Sequence, residues 1–247
     1  MSRPAKGKRI GEPPPLAHEA ALRRVMAPML MQIRATLPKI RTLGDVRAFD
    51  VAIKKAWPSS KIRRLVADIG RRAEITASRP WRVISARTDA AEYDGDALLE
   101  KWSKDAAKKI TSVRDEVAEK LRSDIVAAAE AGIDHEALAA RWLQGGVPTM
   151  WGTAEGRVRV IAQNQLAILH SEVQRARAQA VGISQFAWRT QGDDKVRPEH
   201  RALEGRVLDY SNPGAEGLPG HPVGCRCWAE SVVPDDFLAE VSGVIET

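Results

Sequence analysis

The side chains best suited to chemistry lie close together near the C-terminal end of the chain. The stretch 186–228 contains both cysteines, Cys225 and Cys227, and two of the five histidines, His200 and His221. Thiolate and imidazole groups together are common ligands of a tetrahedral zinc ion, and such an ion often stabilises a small module with little apolar core. The sequence therefore predicts that these four residues converge on one site and that the site binds zinc.

Two other interpretations of these residues stay open. In one, no metal is bound: the histidines tie the loop at 211–220 to the neighbouring strands, and the cysteines pack as small apolar groups. In the other, the cysteines carry redox chemistry. A structural disulfide is not expected, because Cys225 and Cys227 would close a very small and strained ring. Free thiols or metal ligands fit a reducing compartment better.

The same stretch also holds the groups of a catalytic centre. A cysteine–histidine pair with an acidic partner supports nucleophilic catalysis. The alternative function is therefore a nuclease or thiol hydrolase that uses His200 and the Cys225/Cys227 pair, with Asp193 or Asp194. No Walker A loop, Rossmann glycine fingerprint, GxSxG motif or HExxH motif occurs in the sequence. We predict that the protein is not an enzyme.

Short elements must position these groups. In chain order we predict a strand at 186–190, a turn at 191–194, a short helix at 199–203, and strands at 206–208 and 228–233. If residues 225–227 are extended, both sulfurs point to the same face.

The preceding part of the chain is predicted to be helical. Apolar residues recur at spacings of three and four over 16–37, and Pro28 should kink or split that helix. Further helices are predicted at 45–57 with Asp45 as N-cap, at 59–78, at 96–131, at 134–144 with Asp134 as N-cap, and at 153–180, with a loop or joint at 79–95. The fold class is mainly α with a small C-terminal α+β module, which is short-stranded and rich in loops.

The distribution of charge suggests a polyanionic partner. The net charge is +6, but residues 1–87 contain 20 Lys and Arg against 6 Asp and Glu, so the remainder is net negative. We predict non-specific contact with double-stranded DNA, made by Arg63, Arg64, Arg71 and Arg72. A solvated helix face or an acidic partner protein would explain the same charges. No membrane span is expected, because no run of 18 apolar residues occurs.

From Trp188 to Cys227 the sequence resembles a known family. The pattern W-R-T-x-G-D-D-x-V-R-P-x-H-x-x-L-x-G, followed after a loop by H-P-x-x-C-R-C, is similar to the core of the phage Mu protein F-like, or phage head morphogenesis, minor head proteins. Besides the four candidate ligands, the residues that carry the resemblance are Trp188, Gly192, Asp193, Asp194, Arg197, Pro198, Leu203, Gly205, Pro222 and Arg226. Some members carry a cysteine near the position of Arg197 and another at that of His200, so an all-cysteine ligand set is not expected here.

The resemblance implies a structural role. It implies a minor capsid protein of a tailed phage or prophage that acts near the portal in head assembly and in DNA packaging or delivery. Its partners would be the portal protein and other capsid or scaffold proteins, and its location the virion head, after assembly in the host cytoplasm. Some relatives carry a toxin domain after the core, and we expect none in the 20 residues after Cys227.

The predictions divide the chain into five segments. They are a flexible N-terminal arm at 1–15, a basic helical region at 16–87, a helical body at 88–182, the Mu F-like core module at 183–235 and a C-terminal tail at 236–247.

Overall fold

Helices make up most of the described chain, and three of the six strands lie near its C-terminal end. The computed structural model describes residues 7–86, 88, 93–150, 152–235 and 237. In chain order the elements are β1 (Gly7–Ile10), α1 (Leu16–Thr36), α2 (Leu43–Ala56), α3 (Ser59–Ser78), α4 (Arg82–Ser85), α5 (Gly95–Glu130), α6 (His135–Gly145), β2 (Pro148–Thr149), β3 (Gly152–Thr153), α7 (Ala154–Ala180), β4 (Gln185–Arg189), α8 (Pro198–Arg201), β5 (Val207–Asp209) and β6 (Trp228–Pro234). The predicted fold class, mainly α with a small C-terminal α+β module, is confirmed.

The ends of the helices follow local side-chain chemistry. Asp134 caps α6 as predicted, since its carboxylate accepts the backbone N–H groups of Glu136 and Ala137. Asp45 is not the N-cap of α2. Thr42 occupies that position, and the two residues form a capping box in which each side chain accepts the other's backbone N–H. Residues 43–45 are therefore already helical.

Two features of the helical part differ from the sequence predictions. The helix α1 continues through Pro28 and is not split, while the alternative that Pro28 kinks it stays a prediction. The stretch predicted as a loop at 79–95 contains a 3₁₀ turn, Arg79–Trp81, and the short helix α4. Trp81 explains why this stretch forms regular turns. Its side chain is fully buried, and its indole N–H donates to Gln174 Oε1 at 2.7 Å. Residues 87 and 89–92 of the same stretch lie outside the described residues.

The four-stranded antiparallel sheet has the order β1-β6-β4-β5. β1 pairs with β6 in a register that places Ile10 opposite Ser231. The prediction of a flexible arm is therefore wrong for residues 7–10, which supply hydrogen bonds to an edge of β6 that would otherwise be unpaired. Residues 1–6 of that arm, and all of the predicted tail at 236–247 except Phe237, lie outside the described residues.

The chain forms two compact units. The first is built from the described parts of Met1–His18, Gly70–Trp102 and Gln163–Thr247, and the second from Glu19–Ile69 and Ser103–Ala162. The five segments predicted from the sequence stay a prediction.

The first unit contains the sheet, and its core is aromatic. Phe186 and Trp188 of β4 are fully buried, and Phe186 lies against Tyr210 with ring centroids 4.7 Å apart. The same core includes Ile10 and both cysteines. Two of the four candidate ligands, Cys225 and Cys227, are therefore part of the core that holds the sheet together.

The second unit is helical and has an aliphatic core. Its largest fully buried side chains are Leu22, Met26, Met29, Ile33, Leu37, Ile53, Ile62, Ile110 and Leu121. In the described part of the chain, no helix combines the length and the apolar character that a bilayer crossing requires.

Candidate metal centre

Three of the four predicted ligands come together in the first unit. Pro198 starts α8, a position that needs no backbone N–H, and the helix places His200 beneath the sheet. The segment before β6 supplies Cys225 and Cys227. All three side chains are buried, with His200 exposed by only 2% and each cysteine by 4%.

The ligand atoms have the spacing of a tetrahedral site. His200 Nδ1 lies 3.5 Å from Cys225 Sγ and 3.6 Å from Cys227 Sγ. All three atoms lie within 4.8 Å of one another. Bonds of about 2.3 Å from zinc to sulfur and about 2.0 Å from zinc to nitrogen would place the nitrogen and sulfur atoms about 3.6 Å apart. The three residues therefore fit one zinc-sized ion without rearrangement.

The fourth predicted ligand, His221, does not join this cluster. Its Nε2 atom lies 3.2 Å from Glu172 Oε1 on α7. Burial favours the neutral form of Glu172, but the contacts with His221 and Arg175 overcome this effect and lower its pKa to about 2. The backbone explains the direction of His221, because Asn164 of α7 donates to the carbonyl oxygen of His221 at 3.4 Å and holds it against that helix.

A carboxylate fixes the orientation of the His200 ring. Nε2 of His200 lies 3.1 Å from Glu216 Oε2. An ionised carboxylate only accepts hydrogen bonds, so Nε2 carries the proton and Nδ1 presents its lone pair to the two sulfurs. The sequence predictions missed Glu216, which lies in the loop at 211–220 and shows no pattern that sets it apart. The loop is tied to His200, as the metal-free interpretation predicted.

The surroundings of the sulfurs favour a thiolate. The backbone N–H groups of Gly220 and Cys227 both donate to Cys225 Sγ, each at 3.4 Å. The hydrogen bond from the Cys227 thiol lowers the pKa of Cys225 to about 6, against the effect of burial. The pKa of Cys227 is raised, because it donates to Cys225 and because it is buried. The two shifts have opposite directions, so the thiolate form is favoured at Cys225 over Cys227.

Trp188 completes the inner wall of the cluster. Its ring meets the His200 ring edge-on, with centroids 5.3 Å apart. The indole N–H favours the thiolate form of Cys227, but it makes no full hydrogen bond within the described residues. A buried donor placed beside a sulfur suits a negatively charged ligand atom.

A small cavity adjoins the cluster on its outer side. It has a volume of about 20 Å³, and its lining includes His200, both cysteines, Arg197 and Arg226. A space of this size holds about one water molecule. It is too small for a peptide or a nucleotide, so the geometry gives little support to the predicted alternative of a nuclease or thiol hydrolase.

Two arginines of the resemblance hold the loops around this cavity. Arg226 Nη2 lies 2.6 Å and 2.7 Å from the two carboxylate oxygens of Asp193, and this contact lowers the pKa of Asp193. Arg197 donates to the carbonyl oxygen of Val223. Both arginines therefore link the turn before α8 to the loop that carries the cysteines.

Several other residues of the resemblance shape the turns and loops around the cluster. Gly192 and Gly205 adopt φ values of 71° and 72°, which favour glycine. Leu203 packs against the sheet core, and the carbonyl oxygen of Pro222 accepts the backbone N–H of Cys225 at 2.9 Å. Asp194 is exposed.

The arginines predicted to contact DNA all lie on α3. Arg64, Arg71 and Arg72 are exposed, whereas Arg63 is half-buried and has an interaction partner. Arg71 Nη2 lies 2.9 Å from Asp96 Oδ1, an exposed pair that water and salt screen strongly.

Comparison with known proteins gives one family and one curated relative. Residues 119–230 match the family described as "Phage Mu protein F like protein". An uncharacterized protein of Haemophilus influenzae is 31% identical over 119 residues, which are 48% of this chain and 26% of that protein. The chain thus spans about a quarter of the length of the curated relative it matches. No solved structure matches the chain significantly. The resemblance noted at Trp188–Cys227 is confirmed.

Proposed function

Since residues 119–230 match the phage Mu protein F-like family, we propose that the protein is a minor head protein of a tailed phage or prophage. The family match carries this proposal. It covers α6, α7, the Cys/His cluster and three of the four strands of the sheet, up to Glu230 in β6. The role is structural: the protein acts in head morphogenesis and becomes part of the virion.

The proposal extends to partners. The portal protein and other capsid or scaffold proteins are the partners that the resemblance implies, with assembly in the host cytoplasm. The basic composition of residues 1–87 supports a contact with packaged or passing DNA, which needs positive charge but no base recognition. The protein would then serve DNA packaging or delivery near the portal.

Purified heads provide the direct test. The phage or prophage that encodes the chain is induced, and proheads and virions are separated by density and analysed by mass spectrometry. We expect the protein in both, at far fewer copies than the major capsid protein. Its absence from both would overturn the proposal.

A second experiment addresses the partner and the alternative function. The tagged full-length chain is co-expressed with the portal protein of the same phage, and we expect the two to co-purify.

The purified chain is also incubated with DNA and with thioester and peptide substrates. Turnover that disappears in Cys225→Ser would favour the enzyme alternative.

A further inference from the structure

We propose that His200 Nδ1, Cys225 Sγ and Cys227 Sγ bind one Zn²⁺ ion, and that its fourth coordination position is open to the adjoining cavity and holds water. This inference does not depend on the proposed function, because it rests on the geometry of the cluster alone.

The identity of the ion follows from the ligand atoms. The imidazole nitrogen lies 3.5 Å and 3.6 Å from the two sulfurs, distances that match the edges of a tetrahedral zinc site, and the two sulfurs lie within 4.8 Å of each other. Soft thiolate ligands with imidazole favour zinc over magnesium, calcium or manganese, which prefer oxygen. The remaining nitrogen of His200 meets the Glu216 carboxylate, the arrangement that commonly orients a zinc-bound histidine.

The hydrogen bonds at the sulfurs are those of a metal thiolate. Cys225 Sγ accepts two backbone N–H groups, and the buried indole N–H of Trp188 lies beside Cys227 without a full hydrogen bond. Donors of this kind stabilise negative charge on the sulfur and leave its other lone pairs for an ion.

Among the described residues, the other candidate ligand groups around the cluster have contacts elsewhere. His221 contacts Glu172, Glu216 contacts the far side of His200, and Asp193 contacts Arg226. Within the described residues, the ligand atoms that lie within 4.8 Å of one another at this place belong to His200, Cys225 and Cys227 alone. A structural zinc is normally closed by four protein ligands, whereas three ligands leave a position for water.

The adjoining cavity determines how much space the fourth coordination position has and which side chains surround it. About 20 Å³ adjoins all three ligands, enough for about one water molecule. Its lining includes Lys195, Arg197 and Arg226, so the residues around it are cationic. A small anion such as azide therefore fits the position and can replace the water.

Metal analysis of matched variants tests the ligand set. The full-length chain is purified under reducing conditions without chelator, and its zinc content is measured by mass spectrometry. We expect one zinc per chain in the wild type and in His221→Ala, and loss of zinc in Cys225→Ser, Cys227→Ser and His200→Ala. Zinc-free wild-type protein, or loss of zinc in His221→Ala, would overturn the proposed ligand set.

Cobalt replacement tests the open position without relying on variants that fail to fold. Co²⁺ in the wild-type chain should give the absorption of a four-coordinate ion with two thiolates, and the same bands in His221→Ala. Azide should shift the d–d bands and leave the sulfur charge-transfer bands in place. A spectrum that azide does not change would show a closed site and overturn the open-position inference.

Discussion

At the scale of single residues, the proposed zinc centre depends on groups that would not themselves bind the ion. Glu216 determines which nitrogen of His200 carries the proton, and backbone N–H groups hold charge on Cys225. Such neighbours are as specific as the ligands, because they decide whether the ligand atoms are available. Two predictions follow from this scale.

Replacing Glu216 should weaken metal binding without removing a ligand. In Glu216→Gln the amide no longer holds the Nε2 proton as a carboxylate does, so Nδ1 is less basic. We expect zinc affinity to fall by about 10- to 100-fold, measured by competition with a chromophoric chelator. The control is Glu199→Gln, because Glu199 is exposed and lies on α8, the helix that carries His200. Equal affinity of wild type and Glu216→Gln would contradict the role of Glu216.

The two neighbouring aspartates should behave differently. Asp193 contacts Arg226, whereas Asp194 is exposed, so Asp193→Ala should lower Tm and Asp194→Ala should not. Because the contact lowers the pKa of Asp193 from its usual 3.8, the stabilisation is present above that pH and is lost as the pH falls below it. Melting curves from pH 7 down to pH 3 check this. If the difference in Tm between the wild type and Asp193→Ala were the same at pH 3 as at pH 7, the ion-pair explanation would be disproved.

The residues at this scale were only partly predictable. His200, Cys225 and Cys227 share chemistry that is visible in the sequence, so their convergence was predictable. The direction of His221 was not, because it is set by the contact of Asn164 with the backbone. Glu216 was missed for a similar reason: a single acidic residue in a loop acquires its role only from the partner that the fold brings to it.

At the scale of elements, the loop that carries the cysteines lies directly on α7. Gln163 donates to the carbonyl oxygen of Gly224 at 3.2 Å, and Asn164 donates to that of Gly220 at 3.4 Å. A Cβ atom at Gly220 would lie 2.9 Å from the carbonyl oxygen of Ala167. The loop and the helix therefore meet backbone to backbone.

This contact predicts a difference between two glycines. Gly224 has a φ of 74° and open space around it, so Gly224→Ala should cost about 1–2 kcal/mol of unfolding free energy from backbone strain alone. Gly220 has a φ of 89° and also lacks room for a Cβ, so Gly220→Ala should cost more and should also weaken metal binding. Denaturant melts and zinc content check both effects. Equal stabilities of the two variants would contradict the close contact.

The N-terminal strand provides a second prediction at this scale. Ile10 is buried in the sheet core, while Lys8 of the same strand is exposed. We expect Ile10→Ala to lower the unfolding free energy by about 2 kcal/mol or more and Lys8→Ala to change it by less than about 0.5 kcal/mol. Urea denaturation measures both. A neutral Ile10→Ala variant would indicate that β1 does not stabilise the sheet.

The elements differ in how well their sequence reveals them. α3 spans Ser59–Ser78 as predicted, because its apolar residues repeat with the helical period. β1 was predicted as a flexible arm because it is short, basic and followed by proline residues. Its partner is β6, at the other end of the chain, and no local pattern encodes such a pairing. The short helix α4 was missed in the same way, since the burial of Trp81 beside α7 orders that stretch.

At the scale of the whole molecule, charge is the property that suggests a polyanionic partner. The positive excess lies in residues 1–87, but these residues contribute β1, helices and core side chains to both compact units. Removing them would unfold the protein, so the contribution of their charge has to be tested by substitution in the full chain.

Neutralising exposed arginines of α3 should weaken DNA binding and its dependence on salt. For Arg64→Gln, Arg71→Gln and Arg72→Gln combined, we expect the slope of log affinity against log salt to fall by up to about 3, because each lost phosphate contact removes about 0.9. The control combines Arg141→Gln, Arg159→Gln and Arg206→Gln, which are also exposed and remove the same charge. Equal slopes for the two triple variants would disprove a specific role of α3.

The pairing of β1 with β6 has a consequence for biosynthesis. Residues 7–10 are synthesised long before their partner residues 231–234, so the pairing of β1 with β6 cannot form until β6 has been made. Contacts between such distant segments form slowly, because a long loop must close before they are made. Until β6 has been made, β4 lacks this neighbouring strand. The helices of the second unit, which ends at Ala162, can fold before Cys225 and Cys227 are synthesised, so we expect the Cys/His cluster to assemble after them.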